Sequence, residues 1–249
     1  MKLYGLIGYP LEHSASPDFF RRKFEKEGIT DAGYRLFPLK KINELPRLVA
    51  EYPDLVGFNV TSPYKQAVLS YLTCTDNAAA TIGAVNTVKV VHGNGCTKLH
   101  GYNTDYIGFT ESLLEVLPRP PKRALVLGTG GGARAVTYAL TGLHITVKTV
   151  SRTMGRGALT YRDLTAEVVK ENLLIVNATP LGMHPAPDNC PDFPFEWLTG
   201  QHFLFDLIYN PVETEFLRRG RLRGASTCNG LAMLHYQADA SWAVWCNLN

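Results

Sequence analysis

Two α/β units in one chain are what this sequence predicts, and three observations predict them. Short apolar runs of strand type alternate with helix-type patterns along the whole chain, as in βαβ units with mostly parallel sheets. A proline-rich, charged stretch, "PRPPKR" at 118–123, interrupts that alternation. A glycine cluster at 128–132 follows directly on the wholly apolar run "ALVL", the type of strand buried on both faces.

The elements follow in order. "KLYGLIG" (2–8) reads as a strand. "SPDFFRRKFEKEG" (16–28) reads as a helix: Ser16 caps it, Pro17 sits in its first turn, Phe20 and Phe24 share a face, and Gly28 ends it. "YRLFPL" (34–39) is a second strand, "INELPRLVAEY" (42–52) a helix with a proline near its middle, and "LVGFNVT" (55–61) a third strand. "YKQAVLSYL" (64–72) and "DNAAATIG" (76–83) are short helices. "AVNTVKVV" (84–91) and "KLHGYN" (98–103) flank "HGNG", a hairpin signal. "NTDYIGFTESLLEVL" (103–117) is a helix with Tyr106, Phe109, Leu113 and Leu117 as its apolar stripe.

Beyond the proline break, "ALVL" (124–127), "HITVKTV" (144–150), "LLIVNAT" (173–179) and "FLFDLIY" (203–209) are strands, with a helix after the glycines. The chain closes on "GLAMLHYQADASWAVW" (230–245), a helix in which Leu231, Leu234, Ala238, Trp242 and Trp245 are spaced for one buried face.

Composition narrows the function classes. The chain is 45% hydrophobic and 19% charged, a globular balance. A net charge of +3, with basic residues only in short spots such as 21–23 and 218–223, argues against a nucleic-acid partner. Five scattered cysteines show neither a CxxC nor a zinc spacing, so no metal is expected and reduced thiols fit a cytoplasmic protein. No apolar run approaches the ~18 residues a spanning helix needs, so no membrane is expected.

"VLGTGGGARAV" (126–136) places Gly128, Gly130 and Ala133 in a G-x-G-x-x-A pattern after a strand and before a helix. Gly128 permits the tight turn, Gly130 lets the backbone approach a pyrophosphate, and Ala133 allows close helix–strand packing. At the next strand end, a site for NAD usually carries an acid; this chain has "SRTMGR", with Ser151, Arg152, Thr153 and Arg156. Hydroxyls and guanidinium forks suit a 2′-phosphate, so NADP is expected.

Ser14, Ser16, Asn59, Thr61, Lys65, Asn86 and Asp105 stand at strand ends of the first half, where open α/β sheets bind ligands. Singly, several have ordinary explanations: a helix cap for Ser16 or Asp105, a turn for Ser14, an edge-strand polar group for Asn86. Jointly they resemble a pocket for a polyhydroxylated small molecule. Lys65 has no local acidic partner; Asp105, at a helix N-terminus where the macrodipole favours its ionised form, is the proposed one. Such a pair suits alcohol/ketone chemistry beside a nicotinamide.

"HSASP" (13–17), "NVTSPYK" (59–65), "IGAVNT" (82–87), "NTD" (103–105), "GTGGGAR" (128–134), "SRTMGR" (151–156), "NATPLGM" (177–183), "DLIYNPVETEFL" (206–217) and "NGLAMLHYQA" (229–238) occur in that order, and together they resemble the shikimate dehydrogenase family over nearly the whole chain. The resemblance implies two α/β domains. One is a substrate-binding catalytic domain of residues 1–103 plus 228–249 with a mixed, mostly parallel sheet. The other is a Rossmann-type NADP-binding domain of residues 104–227, with the active site in the cleft between them. It implies NADP-dependent interconversion of 3-dehydroshikimate and shikimate in the chorismate pathway, by a monomer or homodimer; the alternatives are a quinate/shikimate dehydrogenase with dual substrate or NAD use, and a non-catalytic ligand-sensing relative, against which an intact Lys65 and Asp105 argue. Carried over by motif, Ser14, Ser16, Asn59, Thr61, Asn86, Tyr209 and Gln237 would hold or flank the substrate, and Lys65 and Asp105 would be the catalytic pair. Gly128, Thr129, Gly130, Gly131, Gly132, Ala133, Ser151, Arg152, Thr153, Arg156 and Gly230 would bind the cofactor. Ser62 departs from the aliphatic residue more usual there. The sequence after "MGRG" is shortened, which touches the support for the cofactor's adenosine end.

Overall fold

The computed structural model describes residues 1–12, 14–93 and 96–247; His13 of the "HSASP" motif and Asn94 and Gly95 of "HGNG" lie outside the described residues. One compact unit comprises Met1–Thr104 together with the chain from Gln237 onward, and a second comprises Asp105–Tyr236.

The first unit contains β1 (Lys2–Gly8), α1 (Ser16–Glu27), β2 (Ala32–Pro38), α2 (Leu45–Glu51), β3 (Leu55–Val60), β4 (Cys74–Thr75), α3 (Asn77–Ile82), β5 (Thr87–Gly93) and β6 (Cys96–Tyr102). Its sheet has the order β2-β1-β3-β5-β6-β4, parallel except where β5 meets β3 and β6, so it is mixed and mostly parallel. β1 is buried from its second residue on because both sheet faces are covered. Leu3 and Ile7 join Leu45, Leu55, Phe58 and Val68 on one side. Tyr4, on the other side, joins Phe20 and Phe24 of α1 and Ala238, Val244 and Trp245 of the last helix. The Trp245 indole N–H donates to the Val88 carbonyl (3.0 Å), and its ring centroid lies 4.8 Å from that of Tyr4.

The second unit contains α4 (Asp105–Val116), β7 (Arg123–Leu127), α5 (Gly131–Gly142), β8 (Thr146–Ser151), β9 (Leu159–Thr160), α6 (Ala166–Glu171), β10 (Leu174–Asn177), β11 (Phe203–Asp206), α7 (Glu215–Leu222) and β12 (Ser226–Cys228). Its six strands are all parallel, in the order β12-β11-β10-β7-β8-β9. The order reverses at β7, and ligands of such sheets bind outside the strand ends at that switch point. Phe109 and Leu113 of α4 are fully buried with Phe205 and Val136, while Tyr106 and Leu117 pack at the edge of that core. The last helix, α8 (Leu231–Cys246), contributes its first six residues to this unit and the rest to the first.

Several local readings change. The α1 N-cap is Ala15, not Ser16; no side chain caps it, and the Ser16 N–H instead reaches the Ser14 hydroxyl (3.3 Å). The helix expected over 42–52 is a 3-10 turn at Ile42–Glu44 followed by α2, because Pro46 sits in a first turn, where a missing N–H removes no bond. Residues 65 and 66 form a turn, and only Ala67–Tyr71 are helical, as 3-10 helix. Asn86 is not an edge group: it precedes β5, an interior strand, and is buried. In α8 Leu231 is 43% exposed, and the buried set is Met233, Ala238, Ser241, Val244 and Trp245. No described helix is long and apolar enough to cross a membrane.

Candidate active site

In the first unit the site residues gather at the carboxyl end of β1 and β3. The Thr61 N–H bonds the Ile7 carbonyl (2.9 Å), continuing the β1–β3 ladder by one residue, and the Tyr64 N–H closes a turn onto the Thr61 carbonyl (2.9 Å). Tyr64 is buried, and its hydroxyl donates to the Leu39 carbonyl (2.7 Å). The Lys65 carbonyl accepts from the Val85 N–H (2.7 Å). The backbone of Lys65 is therefore clamped between an anchored aromatic and the segment leading to Asn86, while its side chain is half-buried. Ser62 is exposed, and its carbonyl accepts from the Tyr9 N–H (3.1 Å); nothing here explains its side chain.

Asn86, 2% exposed, is the hub. Its carboxamide oxygen accepts the Thr104 N–H (2.6 Å). Its amide donates to the Thr104 hydroxyl (2.9 Å) and to the Gln237 carboxamide oxygen (3.2 Å). Its own carbonyl receives the Val60 N–H (2.8 Å) and the Asn59 amide (3.2 Å). Asn59 in turn accepts from the Tyr34 hydroxyl (2.9 Å). Burial drives the Tyr34 phenol far above its ordinary pKa, offset slightly by a hydrogen bond with Ser16, so Tyr34 is a permanent neutral donor linking Ser16 to Asn59. Ser14, Ser16, Asn59, Asn86 and Gln237 thus form one connected polar face. Thr87, Thr104, Tyr34 and Ser241 belong to it and were missed; Thr104 was legible beside Asp105 in "NTD", whereas no local signal marks Ser241, whose side-chain partners all lie far along the chain.

In the second unit Asp105 is the first residue of α4 and is buried at its N-terminal turn. At the end of β7, Gly128 takes φ +112°, a conformation open to glycine, and a Cβ there would stand 3.0 Å from the Ala178 carbonyl oxygen. A Cβ at Gly130 would meet nothing within 4 Å, so the turn is open on that side. Gly130 is the N-cap of the twelve-residue α5, Gly131 and Gly132 supply its first N–H groups, and Ala133 is buried. An open glycine turn at a helix N-terminus, Thr129 included, fits the pyrophosphate of a dinucleotide. Gly230 is required for another reason: any Cβ would collide with the Leu207 carbonyl, while the Gly230 N–H bonds the Ile208 carbonyl (3.0 Å).

Tyr209 lies on the loop after β11, which is braced from below. The buried Asp206 carboxylate accepts from the Thr214 hydroxyl (2.6 Å), the Ile208 N–H (3.0 Å) and the Asn177 amide (3.1 Å). Burial raises its pKa to about 6 despite those three donors. Asn177 also accepts from the Thr179 hydroxyl (2.7 Å), so one pair of side chains holds the loops after both β10 and β11.

Ser151 ends β8, buried, with its hydroxyl accepting the Thr153 N–H (3.2 Å). Arg152, Thr153 and Arg156 are exposed on the connection 152–158 that leads straight into β9 with no helix between. A cavity of about 560 Å³ opens beside it, lined by Arg152, Met154, Thr160, Tyr161, Arg162, Leu181, Cys190 and Asp192. Arg152 lines it and Arg156 does not; Arg162, which follows β9, does. Burial raises the Tyr161 phenol to about 12, partly offset by the nearby Arg152 charge. Among the described residues no His, Cys, Asp and Glu group is arranged to hold a metal ion.

Comparison with known proteins agrees along nearly the full length. Residues 6–88 match the family model described as the shikimate dehydrogenase substrate binding domain. The NADP⁺-dependent shikimate dehydrogenase of Desulforamulus reducens is 42% identical, over 97% of this chain and 88% of that protein. The crystal structure of shikimate 5-dehydrogenase from Thermus thermophilus in complex with NADP(H) and shikimate superposes with a TM-score of 0.86 at 32% identity, covering 99% of this chain and 94% of that one. A quinate dehydrogenase from Corynebacterium glutamicum in complex with NAD is similar at a TM-score of 0.83 and 29% identity, with 99% and 94% coverage.

Proposed function

The chain belongs to the shikimate dehydrogenase family, and from that premise we propose how its own residues divide the work. It is an NADP-dependent oxidoreductase that interconverts 3-dehydroshikimate and shikimate. The first unit binds the substrate and the second binds NADP. Ser14 and Ser16, at the N-terminal end of α1, receive the substrate carboxylate, where hydroxyl donors and the helix dipole favour an anion. Asn59, Thr61, Asn86 and Gln237 orient the ring hydroxyls, and Tyr209 flanks the ring. When bound, NADPH supplies the hydride that the carbonyl carbon receives. Lys65 donates the proton to the carbonyl oxygen, and takes it back in the oxidative direction. Asp105 is the partner that orients the Lys65 ammonium. The turn from Gly128 to Ala133 carries the pyrophosphate, Gly230 leaves room beside the nicotinamide, and Ser151, Arg152, Thr153 and Arg156 meet the 2′-phosphate. The enzyme acts in the cytoplasm as a monomer or homodimer, without nucleic acid or membrane.

One observation carries this reading: Asn86 holds Gln237 on one side and Thr104, the residue before Asp105, on the other. Residues from three distant parts of the chain thereby meet beside the segment that clamps Lys65. The test is absorbance in the reduced-nicotinamide band with shikimate or quinate, each with NADP or NAD. Reduction of NADP by shikimate is expected to dominate. Dominance of NAD or of quinate would instead favour the second reading, a quinate/shikimate dehydrogenase, for which the similarity to the quinate dehydrogenase of Corynebacterium glutamicum in complex with NAD speaks.

A further inference from the structure

Ser241 is a fully buried hydroxyl with no place in the assignment above. It lies one helical turn beyond Gln237 on α8, so both side chains leave the helix on the same face. Its hydroxyl donates to the Gln237 main-chain carbonyl (2.8 Å). Its oxygen stands 2.9 Å from the Asn59 amide nitrogen, 2.7 Å from the Thr87 hydroxyl and 3.0 Å from the Thr104 hydroxyl. A hydroxyl carries one proton and two acceptor sites. With the proton on Gln237, the oxygen accepts from Asn59 and from a threonine. One atom therefore joins α8 to the end of β3, the start of β5 and the residue before α4.

We propose that Ser241 is the positioning residue of the substrate face, setting where Gln237 and Asn86 stand relative to each other. This rests on the functional reading above. The alternative origin of a buried serine, a hydroxyl that merely returns to its own helix, is seen elsewhere in the chain: Ser112 is equally buried and bonds the Phe109 carbonyl (3.1 Å). Ser241 differs in bonding three side chains from other elements. Ser241→Ala removes the shortest of the Asn59 amide's bonds and leaves it the Asn86 carbonyl and the Thr87 hydroxyl, both at 3.2 Å, while Thr87 and Thr104 lose their link to α8, so the face re-forms around fewer bonds.

The test is a kinetic comparison of wild type, Ser241→Ala, Ser241→Cys and Ser112→Ala. Gln237 and Asn86 hold the substrate before and during the chemical step, so the effect falls on KM more than on kcat. Ser241→Ala is expected to raise the shikimate KM about tenfold, with the NADP KM unchanged within about twofold, a tenfold change being about 1.4 kcal/mol. Ser241→Cys, with a longer bond to a weaker donor and acceptor, is expected to raise it about threefold. Ser112→Ala is expected to lower thermal stability and leave the shikimate KM alone. Either Ser241 variant decides the matter if the other does not fold. A shikimate KM within about twofold of wild type in a folded Ser241 variant overturns this inference alone. A wild-type chain that does not reduce NADP with shikimate overturns the functional reading, and this inference with it.

Discussion

The two units hold their polar side chains in opposite ways around the proposed substrate face and the β8–β9 connection. In the first, Asn59, Asn86, Thr87, Thr104 and Ser241 are buried and bonded to one another, and among the described residues no buried side-chain polar atom lacks a partner. In the second, Arg152, Thr153 and Arg156 stand exposed on a short connection. The difference follows from what each must recognise. Hydroxyls on a ring are told apart only by donors and acceptors already in place, and a mismatched buried group costs roughly 1–3 kcal/mol. A phosphate is a concentrated charge that long guanidinium side chains can meet from several positions. Changes in the first unit are therefore expected to act through geometry, and changes around 152 through graded affinity.

The largest effect is expected where the rigid face meets chemistry. Lys65→Ala should lower kcat by about 10²–10⁴-fold, the usual span for a lost general acid, with the NADP KM nearly unchanged. Near-normal turnover would remove Lys65 from proton transfer and leave the clamped backbone around it with no catalytic purpose.

The second unit also has a rigid part, and Asp206 probes it. Its folded pKa, raised to about 6, lies above the value near 4 of an unfolded aspartate. Between those values the folded chain holds a proton that the unfolded chain has released. Stability conferred by the protonated group is thus lost as pH rises from about 4 to 6, and the cost persists above 6. That difference between the folded and unfolded carboxyl corresponds to at most about 3 kcal/mol. Asp206→Asn removes this titration, so its stability relative to wild type should rise across that window. Urea denaturation of both proteins at pH 4.5, 5.5 and 7 measures it; parallel curves would mean that the carboxylate is stabilised by its three donors as fully as water stabilises it.

What could be read from sequence alone divides along the same line. Gly128 and the apolar strand before it were legible because a positive φ and a buried parallel strand are local demands. Lys65 was legible as a charge at a strand end. Ser241 was not, because burying a hydroxyl on a helix depends on residues 154 and 182 positions earlier in the chain. The apolar stripe drawn through α8 included Leu231 and passed over Ser241, since apolar letters alone cannot reveal a helix face that meets a polar cluster. The Ser16 cap failed by a single residue, the usual uncertainty of a helix boundary. Arg162 escaped notice because its place depends on how briefly β8 connects to β9.

The exposed connection is tested by charge removal. Arg152→Ala should weaken NADP binding about 10- to 100-fold, as expected for one charged hydrogen-bonding partner of a phosphate, and NAD binding much less. Isothermal titration with both cofactors checks this, and equal losses would mean that Arg152 does not read the 2′-phosphate.

A smaller effect separates Arg156 from Arg162. Arg152 and Arg162 line the same cavity, and Arg156 does not. A compact connection of residues 152–158 places the residues after β9 beside the end of β8, where a longer crossover would set a helix. Arg162 is solvent-exposed, so its contribution is screened, and Arg162→Ala should weaken NADP binding only about three- to tenfold, more at low salt than at high. Comparing Arg156→Ala and Arg162→Ala at low and high salt, about 50 and 300 mM, ranks the two. A loss confined to Arg156→Ala would show that the motif arginine swings to the phosphate on binding. A loss with Arg162→Ala would show that the shortened connection has recruited a cation from the next strand, as an adaptable phosphate site permits and the interlocked substrate face does not.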